Sequence, residues 1–372
     1  MPSTVPEPRE ALSHVRPGAP AAPRPVPSPP AVLAEATRGP FVESRHVGHV
    51  AVVSPDGDLL ASMGDLDRLV LLRSAVKPFQ VVPLIASGAA DRFGFTDEEI
   101  AIACASHNGE DRHVRTVTSI LEKIGLAPEA MKFGLRPPLD PKACEALERA
   151  GESPRPQHHE CSGEHAEKLA LALHLGADLD RYLLPDEPVE QHALRTVARF
   201  AGLPEAAVRR ETDNCGVVTF GVPLRAAAQM YARLVAPPAD WEPPVRAACA
   251  RIVRAMTRHP DLVSGTDASV SLDTVLMRQR PGRLVSKMGA EGIWAAAAVE
   301  STRFGSPVGV AVKVEDGDSE ERVRGPVAVA LLRRLGVFSD EDAAATGEHR
   351  EPPILDDRDR QVGLVRATVP AW

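Results

Sequence analysis

The sequence predicts an α+β fold in which one antiparallel sheet, built from both ends of the chain, carries an inserted all-helical lobe. Short segments before about residue 75 and after about residue 282 alternate apolar and polar side chains, which is typical of strands. Between them, apolar residues recur at the three-to-four spacing of helices. We therefore expect an α/β sheet lobe from residues 31–75 and 283–372, and a helical lobe from residues 76–282.

The first 30 residues are predicted to form a disordered, proline-rich tail. Proline lacks the backbone N–H that helices and sheets require, and it recurs throughout residues 1–30. Order is expected to begin near Ala31. Two strands, over residues 46–53 and 58–63, should then form a hairpin around Ser54-Pro55-Asp56-Gly57, because Pro presets φ and Gly supplies a positive φ.

The helical lobe carries clear end signals. Thr96 and Glu99 have the spacing of a capping box, which begins a helix toward Cys104. Three amphipathic segments are each followed by a glycine suited to a left-handed cap: residues 112–124, 165–175 and 189–201. Pro223 and Pro243 fit the first turns of two more helices. The remaining elements are predicted as strands over residues 283–287, 293–299 and 308–314, a helix over 320–335, and a last edge strand over 363–369.

Composition and charge narrow the class of protein. The chain has 372 residues, 44% apolar residues and a net charge of −8. This charge argues against nucleic acid or an anionic membrane as partner. No apolar run approaches the ~18 residues of a membrane span, and the N-terminus lacks the apolar core of a signal peptide. The cysteines are few, widely spaced and odd in number, which predicts reduced thiols and a cytoplasmic location: Cys104, Cys144, Cys161, Cys215 and Cys249.

Ser74-Ala75-Val76-Lys77 is the first candidate catalytic motif. Residues three apart share a face of a helix, so the Ser74 hydroxyl and the Lys77 amine can meet. A buried lysine that has lost its proton can serve as the base that activates a serine. Pro78 belongs in the first helical turn, which places Ser74 at the helix start, where free N–H groups can polarise a carbonyl. A helix-capping serine followed by a surface lysine is the alternative.

Two further motifs extend this candidate site. Lys287-Met288-Gly289-Ala290-Glu291-Gly292 closes a predicted strand, and Ser106-His107-Asn108 ends a predicted helix. With Ser-x-x-Lys, they resemble the Lys-Thr-Gly and Ser-Asp-Asn elements of serine β-lactamases and penicillin-binding proteins. A solvated lysine before a glycine turn, and a loop that caps a helix, are the alternatives.

Two cysteines lie in polar turns, which is unusual because free cysteine normally packs as a small apolar residue. They are Cys161, in Cys161-Ser162-Gly163-Glu164-His165, and Cys215, in Asp213-Asn214-Cys215-Gly216. Two thiolates with an oxygen or nitrogen ligand suit zinc. Two inert thiols are the alternative.

Together, these motifs make the chain similar to the asparaginase II family of the rhizobial thermolabile, inducible type. The likeness runs from about Glu35 to Gly336, with a weaker tail to Val369. It is carried by the stretches TRGPFVESRH, RSAVKPFQ, GAADRFGF, ASHNGE, CSGEHAEKL, DNCGV, RHPDLVSG and KMGAEGIWAAAAV.

The resemblance implies a serine β-lactamase-like fold, a homodimer, and hydrolysis of L-asparagine to aspartate and ammonia. It implies two Ser–Lys tandems, Ser74 with Lys77 and Ser106 with Lys287. It also implies a zinc ion between two cysteines, Cys161 and Cys215, and a lysine. In this chain Glu164 occupies the position of that lysine.

The exchange to Glu164 leaves several outcomes open. A carboxylate is a competent zinc ligand, so the site could persist with altered charge, lose its metal, or serve another substrate. The added negative charge is expected to raise the pKa of Lys77 and slow the chemistry.

We expect an L-asparaginase in which Lys77 activates Ser74, while Ser106 and Lys287 relay protons; Ser106 is the other possible nucleophile. The candidates for binding the α-amino and α-carboxylate groups are Arg45, Asn108, Asp213 and Glu291. The alternatives are a non-catalytic zinc- or amino-acid-binding protein, and an amidohydrolase of glutamine or a β-aspartyl compound.

Overall fold

The computed structural model describes residues 28–267 and 271–369, so nearly all of the predicted tail lies outside the described residues. The first strand begins at Ala31, where order was expected. The strands of the described part are β1 (Ala31–Arg38), β2 (Phe41–Val53), β3 (Leu59–Met63), β4 (Leu69–Leu71), β5 (Arg209–Thr212), β6 (Val218–Pro223), β7 (Leu284–Gly289), β8 (Ile293–Ser301), β9 (Ser306–Val314), β10 (Pro353–Leu355) and β11 (Gln361–Ala367).

The α-helices occupy mainly the middle of the chain. They are α1 (Lys77–Ala86), α2 (Ala89–Arg92), α3 (Asp97–Ala103), α4 (Asp111–Ile124), α5 (Pro141–Ala150), α6 (Ser162–Leu175), α7 (Pro188–Ala201), α8 (Leu224–Val235), α9 (Pro243–Arg258), α10 (Pro260–Val263), α11 (Leu272–Gln279), α12 (Arg324–Arg334) and α13 (Asp340–Ala345). Short 3-10 helices occur at Arg73–Val76, Pro128–Ala130, Pro156–His158, Glu205–Ala207 and Gly347–His349.

One antiparallel sheet joins the two ends of the chain. Its strand order is β10-β11-β1-β2-β9-β8-β7, and β3 pairs with β2 beside this path. Strand β1 pairs with β2 and with β11, so backbone hydrogen bonds join the N- and C-terminal segments. This confirms the predicted α+β class. The division into lobes at residues 75 and 282 stays a prediction.

Three details differ from the sequence-based expectation. The inserted segment is not all-helical, because β5 and β6 form a small sheet with β4. Strand β11 is not an edge strand, because β10 covers its outer side. The helix expected from residue 320 begins only at Arg324, since Asp318 and Glu321 adopt positive φ values of 47° and 54° that interrupt a helix.

The local end signals are confirmed where the structure describes them. The Thr96 hydroxyl accepts from the Glu99 N–H at 3.3 Å, and the Glu99 carboxylate accepts from the Thr96 N–H at 2.7 Å. The β2–β3 hairpin forms with Gly57 at φ 98°. Helices α4, α6 and α7 end at glycines in the left-handed region. These caps fix where each helix stops.

Close packing brings the helices onto the sheet. A Cβ on Gly309 of β9 would clash with the Ala228 carbonyl of α8, so glycine is needed at this contact. A Cβ on Gly163 of α6 would likewise clash with the Ile102 carbonyl of α3. Helices α1, α3 and α6 also pack against one another. No helix among the described residues combines the length and apolar character needed to cross a membrane.

Candidate active site

The Ser74 turn lies between a helix start and a sheet edge. Ser74 is in the 3-10 helix Arg73–Val76, which runs directly into α1, and it is partly exposed. The Ala75 carbonyl accepts a 2.7 Å hydrogen bond from the buried Tyr231 hydroxyl, which anchors the turn. On the other side, a Cβ on Gly289 of β7 would lie 2.5 Å from the Leu72 carbonyl oxygen. Ser74 thus occupies the predicted position at the helix start, beside edge strand β7.

Lys77 is buried and its amine reaches Ser106 rather than Ser74. The Lys77 Nζ donates to the Ala105 carbonyl at 2.7 Å and to Ser106 Oγ at 3.1 Å. No hydrogen bond of the Ser74 side chain occurs among the described residues. The structure therefore joins the lysine of the first implied tandem to the serine of the second.

Two anionic groups surround the same amine. Lys77 Nζ lies 3.2 Å from Cys161 Sγ and 3.2 Å from a Glu164 carboxylate oxygen. Burial alone lowers the pKa of Lys77, but the charges of Cys161 and Glu164 outweigh it and raise this pKa above its ordinary value. Glu164 thus lies close enough to Lys77 for its charge to act in the expected direction. Burial, opposed by Lys77, raises the pKa of Glu164 to about 7.

Lys287 forms a second buried amine at the end of β7. Its Nζ donates to the Met288 carbonyl at 3.0 Å and lies 3.5 Å from a carboxylate oxygen of Asp273. Asp273 is fixed in turn, because it accepts from Ser286 Oγ at 2.6 Å. Burial lowers the pKa of Lys287, more than Asp273 raises it, and the charge of Lys77 lowers it further. The amine of Lys287 therefore loses its proton more readily than the amine of Lys77.

Cys161, Glu164 and Cys215 form a compact set of potential metal ligands. All three are buried, and one ligand atom from each lies within 4.8 Å of the others. The Glu164 oxygen that lies 3.2 Å from Lys77 Nζ, Oε2, accepts no hydrogen bond from the described residues. Interaction with Cys215 lowers the pKa of Cys161 well below its ordinary value, against the effect of burial. Two sulfurs and a carboxylate oxygen fit the donor preferences of zinc.

Sequence reasoning missed Arg73, which links the Ser74 turn to the Cys215 turn. Its guanidinium forms a two-point ion pair with Asp213, with both N–O distances 2.9 Å. Both side chains are 15% exposed, and Arg73 has a positive φ of 49°. An arginine directly before the serine was visible in the sequence, but its partner 140 residues away was not.

The remaining substrate-binding candidates are scattered. Asn108 is buried and its side-chain amide donates to Ser271 Oγ at 3.3 Å. Glu291 lies in the exposed β7–β8 turn at φ 60°, with its charge near enough to Arg73 to raise the pKa of that guanidinium. Arg45 is 62% exposed and pairs with Glu35 across β1 and β2. No contact joins Arg45 to the other candidates within the described part of the chain.

Comparison with solved structures gives distant likenesses. A probable glutaminase from Bacillus subtilis, complexed with 6-diazo-5-oxo-L-norleucine, is 14% identical with a TM-score of 0.34; the alignment covers 78% of this chain and 86% of that one. A β-lactamase from Burkholderia ambifaria is 13% identical with a TM-score of 0.34, covering 82% and 92%. At these values we base no argument on either structure.

The family comparison is decisive. No curated protein matches the sequence. The family described as L-asparaginase II matches residues 34–367, which is most of the chain. This range includes every candidate catalytic and metal-ligating residue described above. The chain therefore belongs to the L-asparaginase II family of amidohydrolases.

Proposed function

We propose that the protein hydrolyses L-asparagine to L-aspartate and ammonia through an acyl-enzyme on Ser74. The observation that carries this proposal is the 3.1 Å hydrogen bond from Lys77 Nζ to Ser106 Oγ, because Lys77 follows Ser74 by only three residues at the start of α1. A serine nucleophile needs a nearby amine and a route for protons, and catalytic hydrogen bonds are often longer in the absence of substrate.

Ser74 is the proposed nucleophile because its hydroxyl is partly exposed and not engaged by another side chain in the described structure, whereas Ser106 already accepts from Lys77. Backbone N–H groups of the turn, with the adjacent edge of β7, would hold the oxyanion. Losing one such donor typically costs about 3 kcal/mol of transition-state stabilisation.

The proton movements follow from this arrangement. With Lys77 in its neutral form, Ser74 Oγ forms a bond to the side-chain carbonyl carbon of asparagine, gives its proton to Lys77 Nζ, and leaves an oxyanion on the former carbonyl oxygen. Through the Ser106 hydroxyl a proton reaches the leaving nitrogen, the C–N bond breaks, and ammonia departs. The oxygen of a water molecule then forms a bond to the ester carbon while Lys77 takes one of its protons. The bond between that carbon and Ser74 Oγ breaks, aspartate departs, and Lys77 returns the proton to Ser74 Oγ. Lys287, whose pKa is lowered, is the proposed second proton carrier.

Recognition of the substrate is proposed to use the groups beside Ser74. Free asparagine carries an ammonium and a carboxylate on its α-carbon. Arg73 and Asp213 offer one cation and one anion in a partly buried pair, and Glu291 adds a carboxylate at the open side of the turn. These groups suit a zwitterionic amino acid better than an uncharged amide.

Zinc is proposed to bind Cys161, Glu164 and Cys215. A bound zinc ion would supply positive charge that offsets the anions around Lys77 and so favours its neutral form. The homodimer and the cytoplasmic location stay predictions.

The test is ammonia release from L-asparagine, with zinc content measured by mass spectrometry on the same samples. We expect Ser74→Ala to lower kcat at least about a thousandfold and the exposed Ser153→Ala to retain wild-type activity. Glutamine and β-aspartyl amides should be turned over more slowly than asparagine. Tight binding of asparagine without ammonia release would instead support the non-catalytic alternative.

A further inference from the structure

A cavity of about 880 Å³ lies between α8, α9 and the turn that precedes β7. None of the candidate catalytic or metal-ligating residues lines it. One wall is apolar and includes Leu234, Val235, Val253 and Pro260. Its volume falls within the range of about 300–1,000 Å³ that is typical of small-molecule sites.

The charged groups of this cavity are strongly unbalanced. Four arginines line it, but only one carboxylate does: Arg246, Arg254, Arg258 and Arg278, against Asp261. Asp97 lies 2.9 Å from Arg254 and 3.8 Å from Arg258, and Arg112 pairs with Asp261. Arg246 and Arg278 have no ion-pair or side-chain hydrogen-bond partner in the described part of the chain. Two exposed arginines therefore line the cavity without a carboxylate partner in the described part of the chain.

The α10 segment that lines the cavity is hydrogen-bonded to the loop that carries Ser106. Pro260 and Asp261 line the cavity and begin α10. The residue that ends this helix, Val263, accepts from the Ser106 N–H at 3.1 Å, and Ser264 accepts from the Asn108 N–H at 2.8 Å. His113 bonds the Asp261 carbonyl at 2.8 Å. A ligand that moves α10 would thus move the backbone that holds Ser106.

We propose that this cavity is a regulatory site for an amphipathic anion, a molecule with a carboxylate or phosphate on an apolar chain. The acidic group would bind Arg246 and Arg278, and the chain would lie against the apolar wall. Binding would alter the amidohydrolase rate through α10. Only this rate effect rests on the proposed function, because the binding itself depends on the cavity alone.

Binding is tested by calorimetry with the full chain, using octanoate, octyl phosphate and uncharged 1-octanol as probes. We expect saturable binding of octanoate, octyl phosphate or both. The anion that binds more tightly identifies whether the site prefers a carboxylate or a phosphate. Octanol should bind at least about tenfold more weakly. Arg246→Gln and Arg278→Gln should each weaken anion binding about fivefold, while Arg149→Gln, an exposed change on α5, should not. Absence of anion binding, or equal binding by both arginine variants and wild type, would overturn the proposal.

Coupling is tested separately by two measurements. The anion that binds should change the rate of ammonia release and the hydrogen exchange of the amides of residues 105–109. Hydrogen exchange of these amides reports on their bonds to Val263 and Ser264 even if asparagine is not the substrate. A failure of the proposed function can therefore be distinguished from a failure of the coupling. Binding that changes neither quantity would overturn the regulatory role.

Discussion

At the scale of single residues, the site depends on which groups compensate the positive charge of the Lys77 ammonium. A buried ammonium is costly unless it is paired and hydrogen-bonded. Here Glu164, Cys161, Ser106 and a backbone carbonyl all lie within 3.2 Å of its Nζ. Glu164 is therefore both a partner of Lys77 and a candidate ligand of zinc, and these two roles compete for the same carboxylate.

Glu164→Gln tests the role of Glu164 as a zinc ligand. The substitution keeps the shape of the side chain but removes the charge that a zinc ligand supplies, so we expect zinc affinity to fall at least about tenfold. Competition with a chromophoric chelator measures it. Glu167→Gln is the matched control, because Glu167 is a buried carboxyl group on the same helix that lies outside the proposed ligand set, and burial raises its pKa well above its ordinary value. Equal zinc affinity in both variants would contradict the proposed ligand set.

At the scale of elements, the position of Ser74 is set by β7 packing against the 3-10 turn. Gly289 makes this contact possible, since a side chain there would lie 2.5 Å from the Leu72 carbonyl and 3.3 Å from the Ala75 nitrogen. Arg324, which is buried, donates to the Gly289 carbonyl at 2.6 Å and holds the strand in place. The strand end and the turn therefore cannot shift independently.

Gly289→Ala should push β7 away from the Ser74 turn. We expect the free energy of unfolding to fall by about 1–3 kcal/mol, the usual cost of overpacking, and kcat to fall more than KM changes. Urea unfolding and steady-state kinetics measure the two effects. Gly134→Ala is the control, because nothing lies within 4 Å of a Cβ there. Unchanged kcat in Gly289→Ala would contradict the role assigned to this contact.

Helix α4 contributes a pH-sensitive contact to the loop that carries Ser106. Burial lowers the pKa of His113 to about 4, more than the nearby Glu110 raises it. The ring is neutral when it bonds Asp261. In the unfolded chain, histidine binds a proton near pH 6.5, whereas folded His113 stays neutral until about pH 4. The contribution of His113 to the free energy of unfolding is therefore complete above pH 6.5 and is lost as the pH decreases from about 6.5 toward 4.

From pH 6.5 to about 5, His113 should account for a loss of about 1.5 kcal/mol in the free energy of unfolding. Between pH 6.5 and 5, the free energy of unfolding of His113→Gln should therefore fall by about 1.5 kcal/mol less than that of the wild type, whatever the stability of the variant at neutral pH. Urea denaturation of both proteins at the two pH values measures the difference. Parallel losses in the two proteins would show that His113 is not neutral when folded.

At the scale of the whole molecule, patterns local in sequence were predictable and contacts between distant segments were not. The β2–β3 hairpin and the helix caps each depend on a few consecutive residues, and the sheet from both chain ends was inferred from the order of strand-like and helical segments. Strands β4, β5 and β10 were missed because they have three or four residues and at most one buried side chain each, and β1 and β6 were missed as well. Such short exposed segments show no clear alternation.

The candidate site follows the same division. The motifs identified Ser74, Ser106 and Lys287 as functional candidates, and the structure places Lys77 against Ser106 and Cys161, 29 and 84 residues away. The change of partner for Lys77 depends on how α1, α3 and α6 pack, which no spacing encodes. Likewise, nothing in the sequence pairs Arg73 with Asp213, or Arg45 with Glu35.

Covalent trapping of the nucleophile tests the central claim most directly. The diazoketone analogue of L-asparagine should alkylate the activated serine of the wild type, and peptide mapping by mass spectrometry identifies the residue. We predict one adduct per chain, located on Ser74, absent in Ser74→Ala and retained in Ser153→Ala. An adduct on Ser106, or no adduct in a protein that still releases ammonia from asparagine, would contradict the account.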